Sequence, residues 1–115
     1  MRFLLLLLAW TYSLALVAQN SLIINELMQS NVDCVMDDLN DFPDSWVELY
    51  NPTSDSVSLG DYSIGLTRNA SSAWQLPHHM VAAGGRTMVW CDKESKQMHT
   101  DFRLESGKGG AVYLF

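Results

Sequence analysis

Residues 46 to 52 read Trp46, Val47, Glu48, Leu49, Tyr50, Asn51, Pro52. The large or charged side chains at Trp46, Glu48 and Tyr50 alternate with the aliphatic Val47 and Leu49, which is the two-residue period of a β-strand. Asn51 and Pro52 end it, because proline has no N–H to give to a sheet ladder. A strand is therefore expected over Ser45 to Tyr50. Upstream, Leu22 to Met28 carries a similar alternation. The polar stretch Asn31 to Asp44 that follows it has room for at most one turn of helix, around Val35 to Leu39. Downstream, short apolar runs recur between turn residues: Val57 to Leu59, Tyr62 to Leu66, Trp74 to Leu76 stopped by Pro77, Arg86 to Cys91 after Gly84 and Gly85, and Met98 to Leu104 after the charged loop Asp92 to Gln97. Gly107 to Gly110 reads as a hairpin turn into a last strand, Ala111 to Phe115. Many short strands with no long helical period indicate an all-β sandwich or barrel. An open edge at Tyr113, Leu114 and Phe115 is one that complete domains avoid. The expectation is that the last strand or strands are missing, with the polypeptide continuing or a partner pairing there.

The first 18 residues have a different character. Arg2 is followed by the nearly unbroken apolar run Phe3 to Val17 and by Ala18, the pattern of a signal peptide over residues 1–18. Leu16 is large for its place before the cut, so an uncleaved N-terminal anchor is the alternative. The first cysteine, Cys34, lies too far on to carry a lipid. Cleavage leaves 97 of the 115 residues, enough for one domain over residues 21–115. With Arg2 gone, six basic residues face 13 acidic ones. That balance repels phosphate backbones and argues against nucleic-acid binding. After the leader, no segment approaches the ~20 apolar residues of a membrane span. An exported chain is expected, whether extracellular, periplasmic or at the cell surface. In such a space a Cys34–Cys91 disulfide is chemically permitted. The alternative is two free thiols, Cys91 buried on a strand and Cys34 in a loop.

Several of these residues together resemble a known family, the lamin tail domain. Ile23, Ile24, Asn25 and Glu26 are similar to its opening I-N-E, and Trp46 to Pro52 is similar to its W-[IV]-E-L-Y-N-P signature. Val57, Ser58, Leu59 and Gly60 match the stretch that leads to a tyrosine-containing strand. Trp74 to Pro77, Ala83 to Gly85, Met88 to Trp90, and Met98 to Leu104 with His99 and Phe102 follow in the family's order. The resemblance implies an immunoglobulin-like β-sandwich without enzymatic activity. It also implies an accessory role in secreted bacterial proteins, often ahead of a larger region such as a spore-coat-protein-H-like kinase or a nuclease. Physically, Trp46, Tyr50, Trp74 and Trp90 are expected to fill a thin two-layer core with large rings.

The residues that invite chemistry point mostly to structure. Glu26 and Glu48 could be taken for the carboxylate pair of a glycosidase, but a role in holding neighbouring strands suits them better. Asp33, Asp37, Asp38, Asp41 and Asp44 with Asn40 offer hard oxygen ligands, so Asp37, Asp38, Asp41 and Asp44 make a calcium candidate. They miss the helix-loop-helix calcium pattern, with Phe42 where glycine belongs, and a solvated loop is the plainer account. His78 and His79 are adjacent and on a strand would face opposite ways, a poor start for zinc with His99. Gly107 to Gly110 lacks the other residues of a phosphate loop, and Asn69, Ala70 and Ser71 form a glycosylation sequon. The expected function is a non-catalytic interaction or spacer module, its partner a protein or a surface polymer and its loops the contact sites. Two rivals are a calcium-dependent carbohydrate-binding module with Trp46, Trp74 or Trp90 as sugar platform, and the leading piece of an exported enzyme. No cofactor is expected, calcium excepted.

Overall fold

The computed structural model describes residues 21–29, 37, 45–104 and 110–115. Within them the strands are β1 (Ile23–Met28), β2 (Trp46–Tyr50), β3 (Val57–Ser58), β4 (Ser63–Gly65), β5 (Trp74–Gln75), β6 (Met80–Val81), β7 (Arg86–Trp90) and β8 (Tyr113–Leu114). Two 3-10 turns, Leu59–Asp61 and Ala70–Ser72, are the only helical elements among the described residues. None of these residues forms a helix long and apolar enough to cross a membrane.

The strands make one antiparallel sheet in the order β1-β2-β7, a second in the order β5-β4-β8, and a two-stranded β3-β6 ribbon. Val47, Leu49 and Val89 of the first sheet meet Ile64 of the second, with Leu22, Leu59, Leu76, Val81, Cys91 and Leu104 closing the core around them. The sheets are also tied by a polar contact, since the Leu22 amide donates to the Tyr62 hydroxyl at 3.2 Å. This is an all-β sandwich, one of the two architectures that the alternating runs indicate, and the one for which the family resemblance implies the immunoglobulin-like form.

Buried polar side chains fasten the turns to this core. Asn51, fully buried at the end of β2, donates from Nδ2 to the carbonyls of Asp55, Val81 and Ala82 at 2.8, 3.0 and 3.1 Å. Its Oδ1 accepts from the amide and the hydroxyl of Thr53. Its backbone bonds the turn before β7 in both directions, Asn51 N to Gly85 O and Gly84 N to Asn51 O, each 2.9 Å. Gly84 takes φ +71° there, a conformation that costs glycine little. Ser45 plays a similar part at the other end of β2, donating to the Cys91 carbonyl at 2.8 Å and accepting from the Leu104 amide at 3.0 Å.

The structure departs from the sequence expectations in four places. The run Met98 to Leu104 is not a full strand: Met98 to Thr100 lies parallel beside β7, with Trp90 N donating to Met98 O and Thr100 N to Trp90 O at 2.8 Å. The Thr100 hydroxyl then bonds the Phe102 carbonyl and turns the chain away. Val57 to Leu59 stops as a strand at Ser58, whose hydroxyl accepts from the Gly60 amide and caps the 3-10 turn. Met80–Val81, unmarked by any alternation because only two residues pair, returns beside β3. Finally, Trp46 and Trp90 are buried but belong to the opposite face of their sheet from the core cluster, because strand residues alternate and their neighbours Val47 and Val89 face the core. The expected helical turn around Val35 to Leu39 and the Gly107 to Gly110 hairpin lie outside the described residues, except for Asp37 and Gly110.

Removing the Asn51 side chain strands several buried carbonyls and amides, each loss costing about 1–3 kcal/mol. Asn51→Ala should therefore destabilise the domain by about 3 kcal/mol, as much as the cavity left by Leu49→Ala. Urea unfolding of the two variants beside the parent checks this, and a loss under about 1 kcal/mol for Asn51→Ala would contradict the role given to it.

Candidate functional site

The face of the β1-β2-β7 sheet turned away from the core carries an ordered row. Registration pairs Met28 with Trp46, Trp46 with Trp90, and Trp90 with His99. Facing pairs share one side of a sheet, so the row crosses all three strands and the added segment at Met98 to Thr100. The Trp90 and His99 rings lie 6.5 Å apart. Trp46 is 5 % exposed, Trp90 7 % and His99 not at all. The Trp46 indole N–H is buried without a hydrogen-bond partner among the described residues.

One step along the same face, Glu26 stands opposite Glu48. Like charges in register repel, and Glu48 is compensated from both sides: Asn25 Nδ2 donates to its Oε1 at 2.7 Å, and Arg86 Nε lies 3.6 Å from it. Asn25 reaches across because the register shifts between Ile24 and Glu26, a bulge that re-aims the side chain. The Arg86 guanidinium sits 4.8 Å above the Tyr50 ring. Glu48 thus has the strand-holding role that the sequence reading prefers over a glycosidase pair, with Glu26 its exposed register partner.

At the end of the row, His99 meets two carboxylates. Its Nδ1 lies 2.7 Å from Asp92 Oδ2. A carboxylate can only accept, so Nδ1 carries the proton. The Asp92 side chain is 13 % exposed, and its other oxygen accepts from the Glu94 amide at 3.2 Å. Asp37 joins them: one donor atom each of Asp37, Asp92 and His99 lies within 4.8 Å of the others. The loop that brings Asp92 and His99 together is tight, with Lys93, Ser95 and Gln97 all at positive φ. It is closed by reciprocal Lys96 and His99 backbone bonds of 3.0 and 2.8 Å. This cluster is the one place among the described residues where the donors fit a cation.

The structure sorts the other candidates. Of the calcium set, Asp37 stands in this cluster while Asp38, Asp41 and Asp44 lie outside the described residues. His78 and His79 are exposed and well apart in role from His99; His78 Nδ1 is 3.1 Å from the Ser58 hydroxyl. Tyr50 and Pro52 are half-buried, and Trp74 and Phe102 pack partly buried against the core. Asp92 went unmarked by the sequence reading. Its spacing from His99 fits no ligand motif, and only the reversal of the chain between them makes them neighbours. Cys91 is a buried thiol, and Cys34, its candidate disulfide partner, lies outside the described residues.

A family model described as Lamin Tail Domain matches residues 17–115. The chain belongs to the lamin tail domain family. Searches of curated proteins and of solved structures find no match. The lamin tail domain is a non-catalytic immunoglobulin-like fold, and three of the residues that carry the resemblance make contacts within its frame: Asn51 ties the turns, while Asn25 and Glu48 join β1 to β2.

Burial pushes the Cys91 thiol of this lamin tail domain from 9.0 up to about 12; a Thr100 hydrogen bond opposes the shift and the Asp92 charge adds to it. The folded chain thus keeps this proton to higher pH than the unfolded chain. The associated stability is complete below pH 9 and is lost as pH rises toward 12. A thiol reagent at pH 8 should leave Cys91 untouched in the native protein and label it after unfolding, as mapped by peptide mass; rapid native labelling would contradict its burial.

Proposed function

We propose that this domain works as an exported, non-catalytic interaction or spacer module, engaging a protein or surface polymer through its loops. The observation that carries this reading is how the buried polar groups are spent. Ser45 and Asn51 hold loops and turns against the sandwich, and the exposed Gln75 adds to this from the surface, its Nε2 donating to the carbonyls of Gly60, Tyr62 and Leu76 at 2.8 to 3.1 Å. Such bonding makes a stiff frame that presents loops, and loops are where binding resides on this kind of scaffold. Membership of a non-catalytic family supports it, and so does the apolar leader over residues 1–18.

The carbohydrate-binding alternative needs an open aromatic platform. Trp46 and Trp90 are too buried to offer one, which leaves the half-buried Trp74. The reading as an accessory module of a larger exported enzyme is compatible with a spacer role and differs from it only in what the module is joined to.

Photo-crosslinking in intact source cells tests the proposal. Probes at the exposed loop positions Asp55 and Asp101 should capture one recurring exported partner, and a probe at Glu26 on β1 should not. Recovery of the native protein from the cytoplasm, or the same capture from every position, would overturn it.

A further inference from the structure

We propose that Asp37, Asp92 and His99 form a binding site for a zinc-type divalent cation. The proposal starts from charge. Two carboxylates converge on one imidazole that is wholly removed from solvent, and Asp92 is nearly so. One ring nitrogen and two carboxylate oxygens gathered this closely are a donor arrangement that a divalent cation satisfies. The donor set then selects the ion. A nitrogen donor from His99 disfavours calcium, which takes oxygen ligands, while one nitrogen with two carboxylate oxygens suits zinc.

The geometry needs small adjustment. Ligands at the ~2.0 Å bond lengths of tetrahedral zinc stand about 3.3 Å from one another. The three donor atoms already lie within 4.8 Å of each other. On binding through Nδ1, the ion replaces the proton now shared with Asp92, and the 2.7 Å contact opens by about half an ångström. On binding through the other ring nitrogen, Asp92 keeps that proton and orients the ring, as carboxylates do behind metal-bound histidines. Either way one histidine and at least one carboxylate hold the ion and water completes its shell. The ligands come from different stretches: Asp37 lies between β1 and β2, whereas Asp92 and His99 follow β7. A bound ion would therefore join Asp37 to the segment that follows β7, beside the Trp46 and Trp90 row.

The site goes beyond the interaction reading and does not depend on it. Calorimetric titration of the purified, chelator-treated protein with zinc chloride tests it, beside calcium chloride and a thermal melt of the metal-free form. One zinc per chain should bind with micromolar or tighter Kd and raise Tm, with no response to calcium. Asp37→Asn, which keeps the size of the side chain and one of its oxygens, should weaken zinc at least tenfold in a metal-free form that still melts cooperatively. A His78→Gln, His79→Gln double variant should bind as the parent does, since both side chains are exposed and outside the cluster. Absence of zinc binding, a response to calcium in its place, binding unchanged in Asp37→Asn, or binding lost in the double variant would each overturn the assignment.

Discussion

Strand β2 is covered on both faces, and much of the structure follows from that constraint. Val47 and Leu49 are fully buried against the second sheet, while Trp46 on the other face is also buried. A strand in an antiparallel sandwich ordinarily keeps one face wet. Here the first half of β2 has none, so the sheet needs cover on its outer side at that end. His99 supplies part of it by lying beside Trp90, which extends the sheet past β7 and carries the row from Met28 across to the imidazole. At its other end β2 becomes solvated, and its polar residues Glu48 and Tyr50 share Arg86.

The same strand explains why its two flanking residues are polar and buried. Ser45 and Asn51 stand where the chain enters and leaves β2, at points where neighbouring turns bring carbonyls and amides into the protein interior. Backbone groups buried there must be paired. A serine joins β2 to β7 and to Leu104, and an asparagine with both donor and acceptor serves two turns at once. The conspicuous signature Trp46 to Pro52 is thus a strand with its two faces and its exit turn specified, which is a structural requirement and not a chemical one.

The parts legible in sequence are those decided locally. A five-residue alternation marked β2 and Pro52 its end, while β7 was marked as a short run following the turn at Gly84 and Gly85. A two-residue strand such as Met80–Val81 has no period to read. The side to which Trp46 and Trp90 turn was equally hidden: alternation says that they share a face, but size alone suggested the core face, and only the cluster formed by Val47, Leu49 and Val89 settles it. The meeting of Asp37 with Asp92 and His99 depends on a chain reversal through three residues at positive φ, none of them glycine. Sequence spacing carries no trace of such a contact. It showed Asp37 as one of several acidic loop residues and His99 as a motif residue, in unrelated roles.

The central claim is that the first sheet has two distinct covered faces, with Trp46, Trp90 and His99 opposite the aliphatic core. Nuclear Overhauser contacts between assigned side chains test it most directly. The account predicts contacts from the Trp90 indole to the His99 ring and from the Trp46 indole to the Met28 methyl, with none from either indole to the methyls of Leu59 or Ile64. Strong contacts between those indoles and the Leu59 or Ile64 methyls would place the tryptophans in the sandwich interior and contradict it.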